Sequence, residues 1–109
     1  MLNIDISARH MEVTESMRAY TNDKFGPMDK YLKFLSRLEV VFQSNSMMHI
    51  VEVIAHVDNH ENFVIKKENK DCYACIDKVH DILEKKLTQI KGKSQDRRRP
   101  SNRVAPVSE

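Results

Sequence analysis

The stretch Ile76-Asp77-Lys78-Val79-His80-Asp81-Ile82-Leu83-Glu84-Lys85-Lys86-Leu87-Thr88-Gln89-Ile90 carries the clearest periodicity in the chain. Ile76, Val79, Leu83, Leu87 and Ile90 recur at steps of three and four, which puts them on one side of an α-helix, while Lys78, Asp81, Glu84, Lys85 and Lys91 fall mostly outside that seam. Asn69 to Asp71 supply a turn and an N-cap ahead of it, and Gly92 is the expected stop. A helix with one apolar seam must bury it against another layer.

Working outward, that layer is a sheet. Leu38 to Gln43, His49 to Asp58 and Asn62 to Glu68 are rich in Val, Ile and Phe, and the separators Ser44-Asn45-Ser46 and Asp58-Asn59-His60-Glu61 carry turn chemistry. Two consecutive antiparallel hairpins follow. At the start of the chain Leu2, Ile4 and Ile6 alternate with Asn3, Asp5 and Ser7, the pattern of an edge or near-edge strand with one buried face. Thr14 is an N-cap for a helix from about Glu15, in which Met17, Tyr20 or Thr21, Lys24 and Phe25 fall at helical spacing. Gly26-Pro27 predicts a kink or break, after which Met28, Tyr31, Leu32 and Leu35 resume an apolar face. The order β-α-β-β-β-α predicts an α+β fold: a four-stranded sheet with two helices packed on one face, close to double-stranded RNA-binding domains.

The 109 residues suffice for one domain and exclude a multidomain enzyme. With 40% hydrophobic and 31% charged residues the composition is globular. No stretch approaches the roughly 20 apolar residues of a membrane helix. Met1 to Ile6 has no basic segment followed by an apolar run, and Cys72 and Cys75 make no disulfide framework, so a cytoplasmic location is expected. Charge is unevenly spread. Residues 1–84 carry 10 Lys and Arg against 14 Asp and Glu, net −4, whereas residues 85–109 carry 8 against 2, net +6. An acidic polymer, nucleic acid first, is the partner such asymmetry favours. The expected organisation is an α+β domain over 1–93 and a basic, disordered tail over 94–109.

Few constellations carry chemistry. His10, His49, His56, His60 and His80 lack ligand spacing and are assigned to surface and turn positions; no metal or cofactor is expected. With Gly26 and Gly92 as the only glycines, a phosphate-cradling glycine loop is excluded, as is a small-molecule substrate site built on one. Cys72 and Cys75 form a C-x-x-C at a helix N-terminus, which admits a thiol-based redox or metal-responsive protein as the alternative reading; small core residues are the plainer one. The C-terminal basic group is stronger. Favourable charge at the end of a helix dipole explains Lys85, Lys86, Lys91 and Lys93 but not the tail residues Arg97, Arg98, Arg99 and Arg103. Phosphate contacts explain both sets.

Two segments resemble the ribosome hibernation factors, also called the sigma-54 modulation family. Arg9-His10-Met11-Glu12-Val13-Thr14-Glu15-Ser16-Met17-Arg18-Ala19-Tyr20 is similar to the family's strand-to-helix entry, and Asp71-Cys72-Tyr73-Ala74-Cys75-Ile76-Asp77 to its Asp-x-Tyr-x-Ala-Ile-Asp signature, with Cys75 at the usual alanine. In the signature Asp71 caps the helix, and Tyr73 and Ile76 anchor it on the sheet. The resemblance implies a non-enzymatic translation inhibitor that binds the small ribosomal subunit and its rRNA, in the mRNA and tRNA channel, during stationary phase or stress. It implicates Lys85, Lys86, Lys91 and Lys93, and on the first helical segment Arg18, Lys24, Lys30 and Lys33. The length matches the family's short form, so a monomer off the ribosome is expected.

Overall fold

The computed structural model describes the backbone of residues 2–96 and the side chains of residues 2–91. The tail expectations for Arg97, Arg98, Arg99 and Arg103 lie outside the described residues. Seven elements follow in order: β1 (Asn3–Arg9), α1 (Glu15–Phe25), a 3-10 helix (Gly26–Tyr31), β2 (Leu35–Ser44), β3 (His49–Val57), β4 (Phe63–Asn69) and α2 (Cys72–Asp96). They make the expected α+β fold, a mixed four-stranded sheet in the order β1-β2-β3-β4. β1 runs parallel to β2 across the α1 connection, while β2-β3 and β3-β4 are the two antiparallel hairpins.

Register sorts the side chains into two faces. Ile4, Ile6 and Ala8 stand opposite Leu38, Val40 and Phe42, which stand opposite Ala55, Val53 and Val51; Ile65 and Phe63 continue the row on β4. This face packs against the fully buried seam Ile76, Val79, Leu83 and Leu87 of α2 and against Met17 and Phe25 of α1. A bulge between Leu35 and Arg37 lets Leu35 and Leu38 both turn inward, although three positions apart in a regular strand would place them on opposite faces. The other face carries Val41, Ile50, Ile54 and Val64 beside a chain of charges from Asp5 through Arg37 and Glu39 to His56.

Both helix starts form as their caps dictate. The Thr14 side chain accepts the Met17 N–H at 3.1 Å, and an Asp71 carboxylate oxygen accepts the Tyr73 N–H at 3.0 Å. At Gly26-Pro27 the α-helix gives way to the 3-10 helix, with Met28 and Tyr31 buried below it. Four expectations need correcting. Leu32 does not join the apolar face; it lies in the turn before β2 and is 41% exposed. Leu35 belongs to β2 rather than to a helical face. Gly92 does not stop α2, which continues to Asp96; a glycine inside a long helix costs only about 1 kcal/mol. Tyr73 does not anchor α2 on the sheet but turns toward α1, where its ring meets Tyr20 edge-on at 5.0 Å.

Candidate nucleic-acid interface

The lysines of α2 are arranged by what the rest of the helix has to hold. Asp77, Asp81 and Glu84 recur at i, i+4 and i+7 and form one stripe. Two of these acids clasp the preceding helical segment in the same way, each taking one tyrosine and one lysine. Asp77 accepts the Tyr20 hydroxyl at 2.6 Å and pairs with Lys24 at 3.4 Å; Glu84 accepts the Tyr31 hydroxyl at 3.2 Å and pairs with Lys30 at 3.1 Å. Thr88 adds a hydroxyl contact to Tyr31 at 3.1 Å. The hydrogen bond to Asp77 raises the Tyr20 pKa, because losing the proton would set two negative charges together. The contact with Lys30 likewise lowers the Glu84 pKa and raises that of Lys30.

Lys78, Lys85 and Lys86 are exposed; Lys78 and Lys85 share the solvent side of α2 with Asp81, their i+3 and i−4 neighbour, while Lys86 lies a further quarter turn from the acids. The Lys86 ammonium lies 5.6 Å from the centre of the Phe63 ring on β4, which puts Lys86 on the flank facing β4. None of the three forms an ion pair among the described residues.

The eight cations singled out on the helices therefore do not share one surface. Lys85 and Lys86 are exposed, the first on the solvent side of α2 and the second on its β4 flank. Lys91, three residues beyond Thr88, falls by helical spacing on the α1 flank, and Lys93 lies on α2 beyond the described side chains. Lys24 and Lys30 are held in the two clasps. Arg18, two residues before Tyr20, is exposed on almost the opposite side of α1 from that residue, and Lys33 is exposed in the turn before β2. Exposed cations that periodicity alone did not single out are Lys66, Lys67 and Lys70, at and just past the end of β4. The cluster Lys66-Lys67-Glu68-Asn69-Lys70 was their only sequence signal, and it reads equally as a charged edge strand.

The thiols are arranged against reactivity. Cys72 and Cys75 are 7% and 1% exposed, and the Cys75 thiol donates to the Lys67 carbonyl at 3.1 Å. Burial pushes Cys72 up to about 11 and raises Cys75 as well, so desolvation outweighs the helix N-terminus and both thiols stay protonated at neutral pH. Among the described residues no group of three or more His, Cys, Asp and Glu is placed to hold a metal ion. His10, with φ of 60°, and His60 are exposed as expected, but His80 is not a surface residue: its ring packs edge-on against Phe25 and contacts Asp81 and Glu84. No helix among the described residues is long and apolar enough to cross a membrane.

A family model described as "Sigma 54 modulation protein / S30EA ribosomal protein" matches residues 4–95. The ribosome hibernation promoting factor of Salmonella typhimurium is 29% identical over 92 residues, covering 84% of this chain and 96% of that protein. A ribosomal subunit interface protein from Coxiella burnetii superposes with a TM-score of 0.75 at 20% identity, over 84% of this chain and 99% of that one. The N-terminal domain of Thermus thermophilus Protein Y gives 0.72 at 25% identity, over 81% and 98%.

Proposed function

The chain belongs to the Sigma 54 modulation protein / S30EA ribosomal protein family, and from that premise we propose that it is a ribosome hibernation factor acting by occupancy rather than by catalysis. It binds the small ribosomal subunit in the channel used by mRNA and tRNA, and excludes both sterically during stationary phase or stress. The site of action is the cytoplasm, and off the ribosome the protein is a monomer. The observation that carries the reading is the family match along residues 4–95, which takes in all seven elements but for one residue at each end.

Charge supports the same reading. Lys85 and Lys86 are exposed without ion-pair partners among the described residues, the state in which a cation can displace counterions from a phosphate backbone. Lys91, Arg18 and Lys33 add exposed positive charge, while Lys24 and Lys30 are held in the clasps between α2 and the helical segments that precede it. The direct test adds purified protein in excess over ribosomes to a cell-free translation reaction and sediments the products. Arrest of peptide synthesis with the protein in the small-subunit fraction is expected; synthesis at full rate contradicts the reading.

A further inference from the structure

β4 closes the sheet at the end away from β1, and among the described residues nothing pairs with its outer edge. The strand runs over Phe63–Asn69, about 23 Å of extended chain. Every second residue of such an edge presents its N–H and C=O outward, which makes it a template for a further strand. The side chains beside it are of two kinds. Val64 is 58% exposed and lies across from Ile54 on the face of the sheet that the helices leave bare, with Ile65 on the other face. Lys66 and Lys67, one on each face, and Lys70 just past the strand are exposed. None of the three closes an ion pair among the described residues, although Lys66 stands opposite Glu52 on β3. A cleft of about 310 Å³ at the same edge is lined by Ile50, Lys66, Lys67 and Glu68. The opposite edge strand differs, because Asp5 of β1 is already paired with Arg37.

We propose that the outer edge of β4 takes an acidic, extended protein segment as a fifth strand, antiparallel to β4. The occupant is a polypeptide rather than a nucleic acid. A bare strand edge offers donors and acceptors in alternation, which another main chain matches and a phosphate backbone, carrying acceptors alone, does not. The side chains of β4 specify the rest. Two consecutive carboxylates stand beside Lys67 and Lys66, and two β-branched residues beside Ile65 and Val64, since cross-strand neighbours of opposite charge or matched apolar shape stabilise a sheet. Glu68 shares its face with Lys66 and calls for an uncharged neighbour. In the antiparallel arrangement, the more stable per residue, the segment reads Glu-Glu-Val-Val from its N-terminus. No lysine of α2 enters this pairing, so it stands or falls independently of small-subunit binding.

The test titrates the isotope-labelled full chain with the synthetic peptide acetyl-Thr-Thr-Glu-Glu-Val-Val-Thr-amide and follows its backbone amide resonances. Saturable binding with Kd below about 1 mM is expected, with shifts and slowed hydrogen exchange concentrated in Phe63–Asn69 and none in β1. The Lys66→Glu, Lys67→Glu double variant is expected to bind this peptide at least about tenfold more weakly. The same variant is expected to bind a peptide with Lys-Lys in place of Glu-Glu at least about tenfold more tightly than the unaltered protein does, which also shows that the variant is folded. A peptide of the parent sequence methylated on its backbone nitrogens cannot donate to the ladder and is expected not to bind; binding as tight as the parent's contradicts strand addition. Shifts centred away from β4 contradict the site. Stronger shifts at β4 from a short oligouridylate than from the peptide assign the edge to nucleic acid and overturn the proposal. No saturation by about 5 mM peptide leaves Lys66 and Lys67 as guards of a bare edge and overturns it too.

Discussion

The two flanks of α2 carry the same kinds of residue and use them differently. On the α1 flank the carboxylates of Asp77 and Glu84 are each satisfied by a tyrosine and a lysine, so charge there holds two helical segments together. From the solvent side round to the β4 flank, Lys78, Lys85 and Lys86 form no ion pair among the described residues. The lesson is that counting lysines on a helix says little about binding until their partners are known. An ion pair at a partly exposed site returns at most about 1 kcal/mol, so it opposes phosphate binding by its lysine by no more than that.

The sharpest way to break this division is to remove the cations of the last helix. Replacing Lys85, Lys86, Lys91 and Lys93 by Ala is expected to weaken small-subunit binding by about a thousandfold at physiological salt while the thermal melt stays cooperative; co-sedimentation and calorimetry read the two properties separately. At the start of the same helix, the Cys72 thiol is expected to react with a disulfide reagent at pH 8 about 100-fold more slowly in the folded protein than after unfolding, since thiolate fraction follows pKa. Equal rates would show that Cys72 is accessible and restore the thiol reading. A smaller effect falls on the acidic flank. Asp77→Asn and Glu84→Gln are each expected to cost about 1 kcal/mol of stability by denaturant titration, without weakening subunit binding.

The smallest expected effect is a pH dependence. Glu84 is held below its ordinary pKa by Lys30, and Glu39 by His56, so each contributes stability that is complete above the unfolded carboxylate pKa and disappears as pH falls through the folded value. The melting temperature is expected to drop between about pH 6 and about pH 3, and to drop less in Glu84→Gln. Identical acid limbs in the two proteins would remove Glu84 from the clasp.

Much of the fold was legible because local chemistry and long-range packing agree. Thr14 and Asp71 cap the helices they precede, the Ile76 to Leu87 seam is buried as its spacing requires, and Asn59, with φ of 62°, takes the turn conformation its residue type tolerates. The misplacements have a common cause. Tyr73 and His80 face α1 because helix-to-helix placement, invisible to periodicity, offers them Tyr20 and Phe25. Helix-to-helix placement also supplies the carboxylate partners of Lys24 and Lys30, which lie more than fifty residues away in the chain. Gly92 misled because glycine permits a helix to end without compelling it.

The claim on which the account turns is that affinity for the ribosome is phosphate-borne. Association of the unaltered protein with purified small subunits, followed across a salt series, tests it most directly. With about five phosphates neutralised, log K is predicted to fall against log salt with a slope on the order of −4. A flat line, with binding as tight at high salt as at low, would contradict it.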